Sequence, residues 1–140
     1  MKEVLDEQSR LGLIHYRMER ADETMEEVGI LAEREHYNAA VNRLYYACFY
    51  ATQALLLKHH IVATTHAGVK SMLGLHFIMK GIISIEHGKT FNTLFEKRHS
   101  SDYEAFTYCD KDLVDGLTPL AEAYIQKIKE LLEDNNITQE

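Results

Sequence analysis

Apolar side chains recur at Ile14, Met18, Ala21, Met25, Val28 and Ala32, at alternating spacings of four and three. That interval puts them on one stripe of a helix, and Glu, Asp and Arg fill the positions between. With no Pro to break it, the run predicts a long first helix from about Leu5 to Glu33. A second helix is expected from about Tyr37 to His59, with Val41, Leu44, Tyr45, Cys48, Ala51 and Leu55 on its buried side. Its density of Ala and aromatic residues marks it as the most central helix. Between the two, Arg34-Glu35-His36 forms a turn short enough to make them pack antiparallel.

Beyond the second helix the signals are shorter. Ile61 to His66 is rich in β-branched residues and Thr and is expected to be a loop. Thr65 can cap a third helix over Ala67 to about Met79, ended by Gly81. A fourth helix is expected from near Ser84 or Thr90, carrying Phe91, Leu94 and Phe95. The last runs from Asp110 or Asp112 to Leu132, with Leu113, Leu117, Leu120, Tyr124, Ile128 and Leu131 as its stripe. Pro119 falls inside this stripe, so a kink is expected there, or a restart with Thr118 as cap. The tail from Asp134 is polar and expected to fray. One Pro and 7 Gly are too few for the closely spaced turns of a β-sandwich or barrel. The expectation is an all-α protein, an up-and-down bundle of four to five helices. It forms one domain over residues 1–140, with its core at about 5–132.

Composition narrows the function classes. Apolar residues at 46% and charged residues at 26% are ordinary for a globular chain. The net charge of −7 excludes non-specific nucleic-acid binding through a generally basic surface, though a local basic site remains open. Cys48 and Cys109 are too few for a disulfide scaffold or a zinc ribbon and read as buried free thiols in a reducing compartment. No leader and no membrane-length apolar run is visible, so a cytoplasmic location without membrane contact is expected.

Eight histidines make metal sites the first chemistry to test. Two Glu-x-x-His pairs, Glu33/His36 and Glu96/His99, suggest a di-iron bundle, but that site also needs one inward Glu from each of two further helices. No Asp or Glu lies between Tyr37 and Ile61, and none between His66 and Ile85. The ligand count fails, and His59, His60 and His66 have no Cys or carboxylate neighbours to complete a zinc site. No metal and no cofactor is therefore expected. Gly-rich phosphate loops, nucleophile elbows and deaminase signatures are also missing from the sequence.

Two polar clusters remain. Asn38, Asn42, Tyr46, Tyr50 and Gln53 fall on one stripe of the second helix, with Arg43 beside Tyr46 and Tyr50. Such a stripe is either bundle packing or a cleft where Arg meets phosphate while tyrosines stack on bases. The second cluster is Lys97-Arg98-His99-Ser100-Ser101-Asp102-Tyr103. There Arg98 can clamp a phosphate and His99 can act as general acid or base. Alternatively Arg98 pairs with Asp102 one turn on, and Ser101-x-x-Glu104 is a capping box.

Four stretches in order carry a family resemblance: Ala40 to Tyr50 (A-V-N-R-L-Y-Y-A-C-F-Y), His66-Ala67-Gly68-Val69, Arg98 through Asp102-Tyr103, and a closing helix with Ala121-Glu122-Ala123-Tyr124-Ile125. Together they resemble the HEPN domain (higher eukaryotes and prokaryotes nucleotide-binding), over about Glu7 to Leu132. The resemblance implies a helical bundle, often dimeric, that binds nucleotides or RNA. Many prokaryotic members resemble toxins of toxin–antitoxin pairs whose antitoxin is a small nucleotidyltransferase. Some are metal-independent ribonucleases with an Arg-x(4–6)-His motif. Here the positions five to seven beyond Arg98 hold Tyr103, Glu104 and Ala105, and the nearby histidine is the adjacent His99. On this basis Asn42, Arg43, Tyr46, Asp102 and Tyr103 are expected to line a nucleotide or RNA cleft, with Arg98 and His99 as the catalytic candidates. The alternative is a non-catalytic protein–protein interaction module in which the same residues are structural.

Overall fold

The computed structural model describes residues 5–103 and 108–134, without the side chains of residues 99–103. Every regular element among these residues is helical: α1 (Glu7–Glu33), α2 (Tyr37–Lys58), α3 (His66–Leu73, extended by a π-helical turn over Gly74–Ile78), α4 (Ile85–Tyr103) and α5 (Lys111–Glu133). The fold is an all-α helical bundle. No described helix is long and apolar enough to cross a membrane.

The packing follows the apolar stripes. Val41, Leu44, Tyr45, Cys48, Ala51 and Leu55 of α2 are all fully buried, and α2 packs against each of the other helices. Ala21 and Val28 of α1, Phe91 and Leu94 of α4, and Tyr124 and Ile128 of α5 close on it. At the centre the Thr52 hydroxyl donates to Cys48 O and meets Tyr124 Oη at 2.6 Å, so two buried hydroxyls satisfy each other. At the far end of α2, Lys58 Nζ donates to Leu131 O and Leu132 O, placing a cation on the carbonyl end of α5.

The helix ends explain the turns. Asp6, Thr65, Ser84 and Asp110 each accept a backbone N–H from three residues ahead, capping α1, α3, α4 and α5. Gly68 permits one of these: a Cβ there would lie 2.9 Å from the capping Thr65 hydroxyl. Helices α1 and α2 both end in a Schellman motif. His36 N donates to Leu31 O and Glu35 N to Ala32 O; likewise Ile61 N donates to Leu56 O and His60 N to Leu57 O. The left-handed position of each motif is held by a side-chain-bearing residue, Glu35 (φ 64°) and His60 (φ 60°).

Three expectations are corrected. First, α5 runs unbroken through Pro119, and the Thr118 hydroxyl donates back to Val114 O instead of capping a new helix. Pro119 and Asp115 both lie on the exposed face, so the carbonyl that loses its helical donor is on the solvent side. Second, Leu120 on the same helix is 49% exposed rather than buried. Third, the third helix is not a uniform α-helix to Met79. Met79 N donates to Gly74 O, five residues back, and the widened turn places Phe77 in the core against the edge of His59. The expected terminator holds: Gly81 takes φ 76°. The polar tail beyond Asp134 and the capping box at Glu104 lie outside the described residues.

Candidate functional site

Helix α2 places Tyr45 and Tyr46 side by side, one turned inward and one toward the surface. Tyr45 is fully buried, and its ring meets Phe49, Phe91 and Phe95 with centroids 5.6 to 6.1 Å apart. Its hydroxyl lies 2.8 Å from Nδ1 of His66, the first residue of α3. Burial pushes the Tyr45 phenol well above its ordinary range, against a smaller opposing pull from Arg98, so it stays a neutral O–H at physiological pH. The His66 ring is stacked on Phe49 at 4.3 Å and meets Tyr46 edge-on at 5.7 Å. Nδ1 is thus committed to the Tyr45 hydroxyl, whichever of the pair donates.

Tyr46 is half-buried, and two guanidiniums address its ring. Arg43 Cζ lies 4.8 Å from the Tyr46 centroid, and Arg98 Cζ, arriving from α4, lies 5.9 Å from both Tyr46 and Tyr45. These are cation–π distances, worth about 0.5–1 kcal/mol each where water has access. Arg43 also donates from Nε and Nη2 to Asn42 Oδ1 at 3.3 and 3.0 Å and faces Glu27 of α1 at 3.7 Å. Its charge is thus partly balanced, with the Arg43 side chain 27% and the Glu27 side chain 44% exposed. Lys70 of α3 lies over Phe95 at 4.7 Å, adding a third cation on the same aromatic wall.

The structure therefore brings Asn42, Arg43, Tyr46 and Arg98 together. His99, Asp102 and Tyr103 belong to the last turns of α4, but their side chains lie outside the described residues. The polar stripe of α2 does not act as a unit. Asn38 accepts Cys109 N and fixes the entry to α5, Tyr50 lies under Arg20 of α1 at 5.3 Å, and Gln53 lines a separate hollow. His66 is the site residue that the polar clusters did not reveal. Its signal is the His-x-Gly-Val run behind the Thr65 cap, which orients the first turn of α3 toward Tyr45. Among the described residues no three His, Cys, Asp or Glu side chains converge on a metal position. Cys48 and Cys109 are buried free thiols, and burial raises both above the ordinary thiol range.

The wall of tyrosines, arginines and histidine is built from the motifs that carry the family resemblance, and the HEPN domain signature matches residues 14–135. The chain belongs to the HEPN family. Relatives of this HEPN chain include a UPF0332 protein of Thermotoga maritima, 34% identical over 122 residues, which cover 87% of this chain and 92% of that protein. Two proteins of Methanocaldococcus jannaschii, each named a candidate toxin, are 31% and 32% identical. They align over 86% and 84% of this chain and 82% and 87% of their own lengths.

Proposed function

We propose that this HEPN protein binds a nucleotide or RNA in the cleft between α2 and α4, and that it is the toxin-like half of a toxin–antitoxin pair. The observation that carries the reading is the pair of guanidiniums on one half-buried ring, Arg43 and Arg98 on Tyr46. A base stacks on an aromatic face while flanking guanidiniums pair with phosphate, and the two preferences meet here within one ring's width. The candidate-toxin names of two relatives support the toxin-like half of the proposal. In this reading Asn42 holds Arg43, Asp102 and Tyr103 complete the cleft from the end of α4, and the partner is an antitoxin of nucleotidyltransferase type. A homodimer is the assembly it favours. If RNA is cut, Arg98 stabilises the phosphate and His99 moves the proton.

The test is a thermal-shift titration of the wild type and Arg98→Ala against nucleotides and a short single-stranded RNA. Ligand at 100 times its dissociation constant adds about 2.7 kcal/mol to wild-type stability. The expected result is a rise in the wild-type midpoint that disappears in a still-folded Arg98→Ala. Undiminished binding by that variant overturns the assignment.

A specific contact set favours the second reading, in which these residues are structural in a protein–protein module: Arg43 already holds Asn42 and faces Glu27. That reading expects no ligand-dependent shift at all and an Arg43→Ala variant that melts earlier.

A further inference from the structure

At the opposite end of the α1/α2 hairpin lies a hollow of about 430 Å³, within the size range of small-molecule sites. Gln53 is ten residues along α2 from Arg43, about 15 Å of helix rise. Leu13, Leu56, Ile61 and Ala63 supply apolar wall, and at the rim Leu5 and Val62 are exposed by 42% and 69%. Set into this apolar surface are two arginines and an amide from the facing helices: Arg10, Arg17 and Gln53.

Their hydrogen-bonding is incomplete. Arg10 is nine-tenths buried; Nη1 donates to Leu57 O at 3.2 Å and Nη2 reaches Leu5 O at 3.5 Å, while Nε is buried without an acceptor. The carboxylate facing that Nε is the exposed Glu7, 3.8 Å away. Arg17 Nε is likewise buried without an acceptor, and Arg17 makes no ion pair among the described residues. Gln53 Oε1 is buried without a donor. Unmet polar atoms out of water are costly, and three of them surround one hollow.

We propose that this hollow is a binding site for a small organic monoanion with an apolar body, a medium-chain or aryl carboxylate. Carboxylate oxygens supply the acceptors that the two guanidinium N–H groups lack, and the Gln53 amide, turned over, donates to the same oxygens. The apolar wall takes the body of the ligand and disfavours inorganic phosphate, which would leave the leucines wetted. The size of the hollow and its apolar lining suit a compact acid that enters it alone, with its carboxylate at the two local cations.

The probe is octanoate, with 1-octanol as its neutral counterpart, followed by 15N–1H correlation spectra of the wild type, Arg17→Gln and Arg98→Ala. The expected result is saturable shifts of the Gln53 side-chain amide and of the Ile61 and Ala63 amides with octanoate. Octanol should bind at least tenfold more weakly, and Arg17→Gln should lose at least tenfold in octanoate affinity. Arg98→Ala should bind octanoate as the wild type does, which separates this site from the cleft whatever becomes of nucleotide binding. The proposal is overturned by no shift at these amides, by octanol binding equal to octanoate, or by unchanged affinity in Arg17→Gln. Should Arg17→Gln not fold, Arg17→Lys retains the cation without the bidentate fork, and undiminished octanoate affinity in it overturns the guanidinium assignment.

Discussion

The two ends of the α1/α2 hairpin hold arginines in opposite circumstances. On the aromatic wall of α2, Arg43 and Arg98 lie on tyrosine rings, and Arg43 also has Asn42 and Glu27 for company. In the hollow, Arg10 and Arg17 stand among leucines with a buried Nε each and no acceptor for it. The Arg43 guanidinium, on an aromatic face and 27% exposed, keeps contact with water, so it rests in an arrangement that a ligand can still address. A guanidinium N–H buried against aliphatic carbon has lost water and gained nothing. The same residue type is therefore better accommodated at Arg43 than at Arg10 and Arg17, and Arg98, whose Nε is also buried, stands between the two.

The largest expected effect tests whether the aromatic wall rests on the core. Tyr45 is fully buried, contacts Phe49, Phe91 and Phe95, and orients His66. Tyr45→Ala should cost about 3–5 kcal/mol in urea unfolding, the usual price of emptying a large aromatic site. Tyr45→Phe should cost only about 1 kcal/mol, for one hydrogen bond. If the Ala variant is destabilised by less than about 1 kcal/mol, the wall is a surface feature and the contrast with the hollow dissolves.

A smaller effect with a sign sharpens the comparison further. Arg43→Met removes a cation–π contact, the bonds to Asn42 and a part-exposed ion pair, and should destabilise by about 1 kcal/mol. Arg17→Met keeps the aliphatic stem and removes a cation whose Nε has no acceptor, so in ligand-free protein it should be neutral or stabilising by up to about 1 kcal/mol. Chemical denaturation of the two variants in one buffer decides it. Equal destabilisation by both would mean that Arg17 has structural work that its contacts do not show.

The difference between the two ends also marks what the sequence could reveal. The buried face of α2 was legible at all six named positions because aliphatic and aromatic residues at three- and four-residue spacing leave a helix no other way to bury them. Thr65 was legible as a cap because its oxygen stands where unpaired N–H groups must be met, whereas Asp110 was legible only as a boundary of α5. Pro119 misled because a proline's cost depends on whether the orphaned carbonyl faces water, which only the placement of α5 decides. The polar stripe of α2 misled in a related way: Asn38, Tyr50 and Gln53 share a face with Tyr46, yet each meets a different neighbour. The contacts of His66 and Arg10 were not legible for a common reason. Their partners, Tyr45 and the Leu57 carbonyl, lie 21 and 47 residues away, and no local pattern announces so distant a contact.

The smallest effect concerns the residues that close the two ends. Glu35 and His60 occupy the left-handed position of matching Schellman motifs, with φ of 64° and 60°. There a Cβ crowds the backbone, whereas Gly adopts the conformation without that strain, offset by the greater freedom Gly gives the unfolded chain. Glu35→Gly and His60→Gly should therefore each raise stability by about 0.5–1 kcal/mol, measured by urea unfolding without ligand. The two variants should then part company in function. Glu35 is solvent-exposed at the turn between α1 and α2, so its replacement should leave octanoate affinity unchanged. His60 lines the hollow, and removing its ring widens the wall beside Ile61 and Val62. His60→Gly should thus gain stability while losing some octanoate affinity. A gain in both would mean that His60 shapes the α2 terminus alone and that the hollow's selectivity lies with Arg10, Arg17 and Gln53.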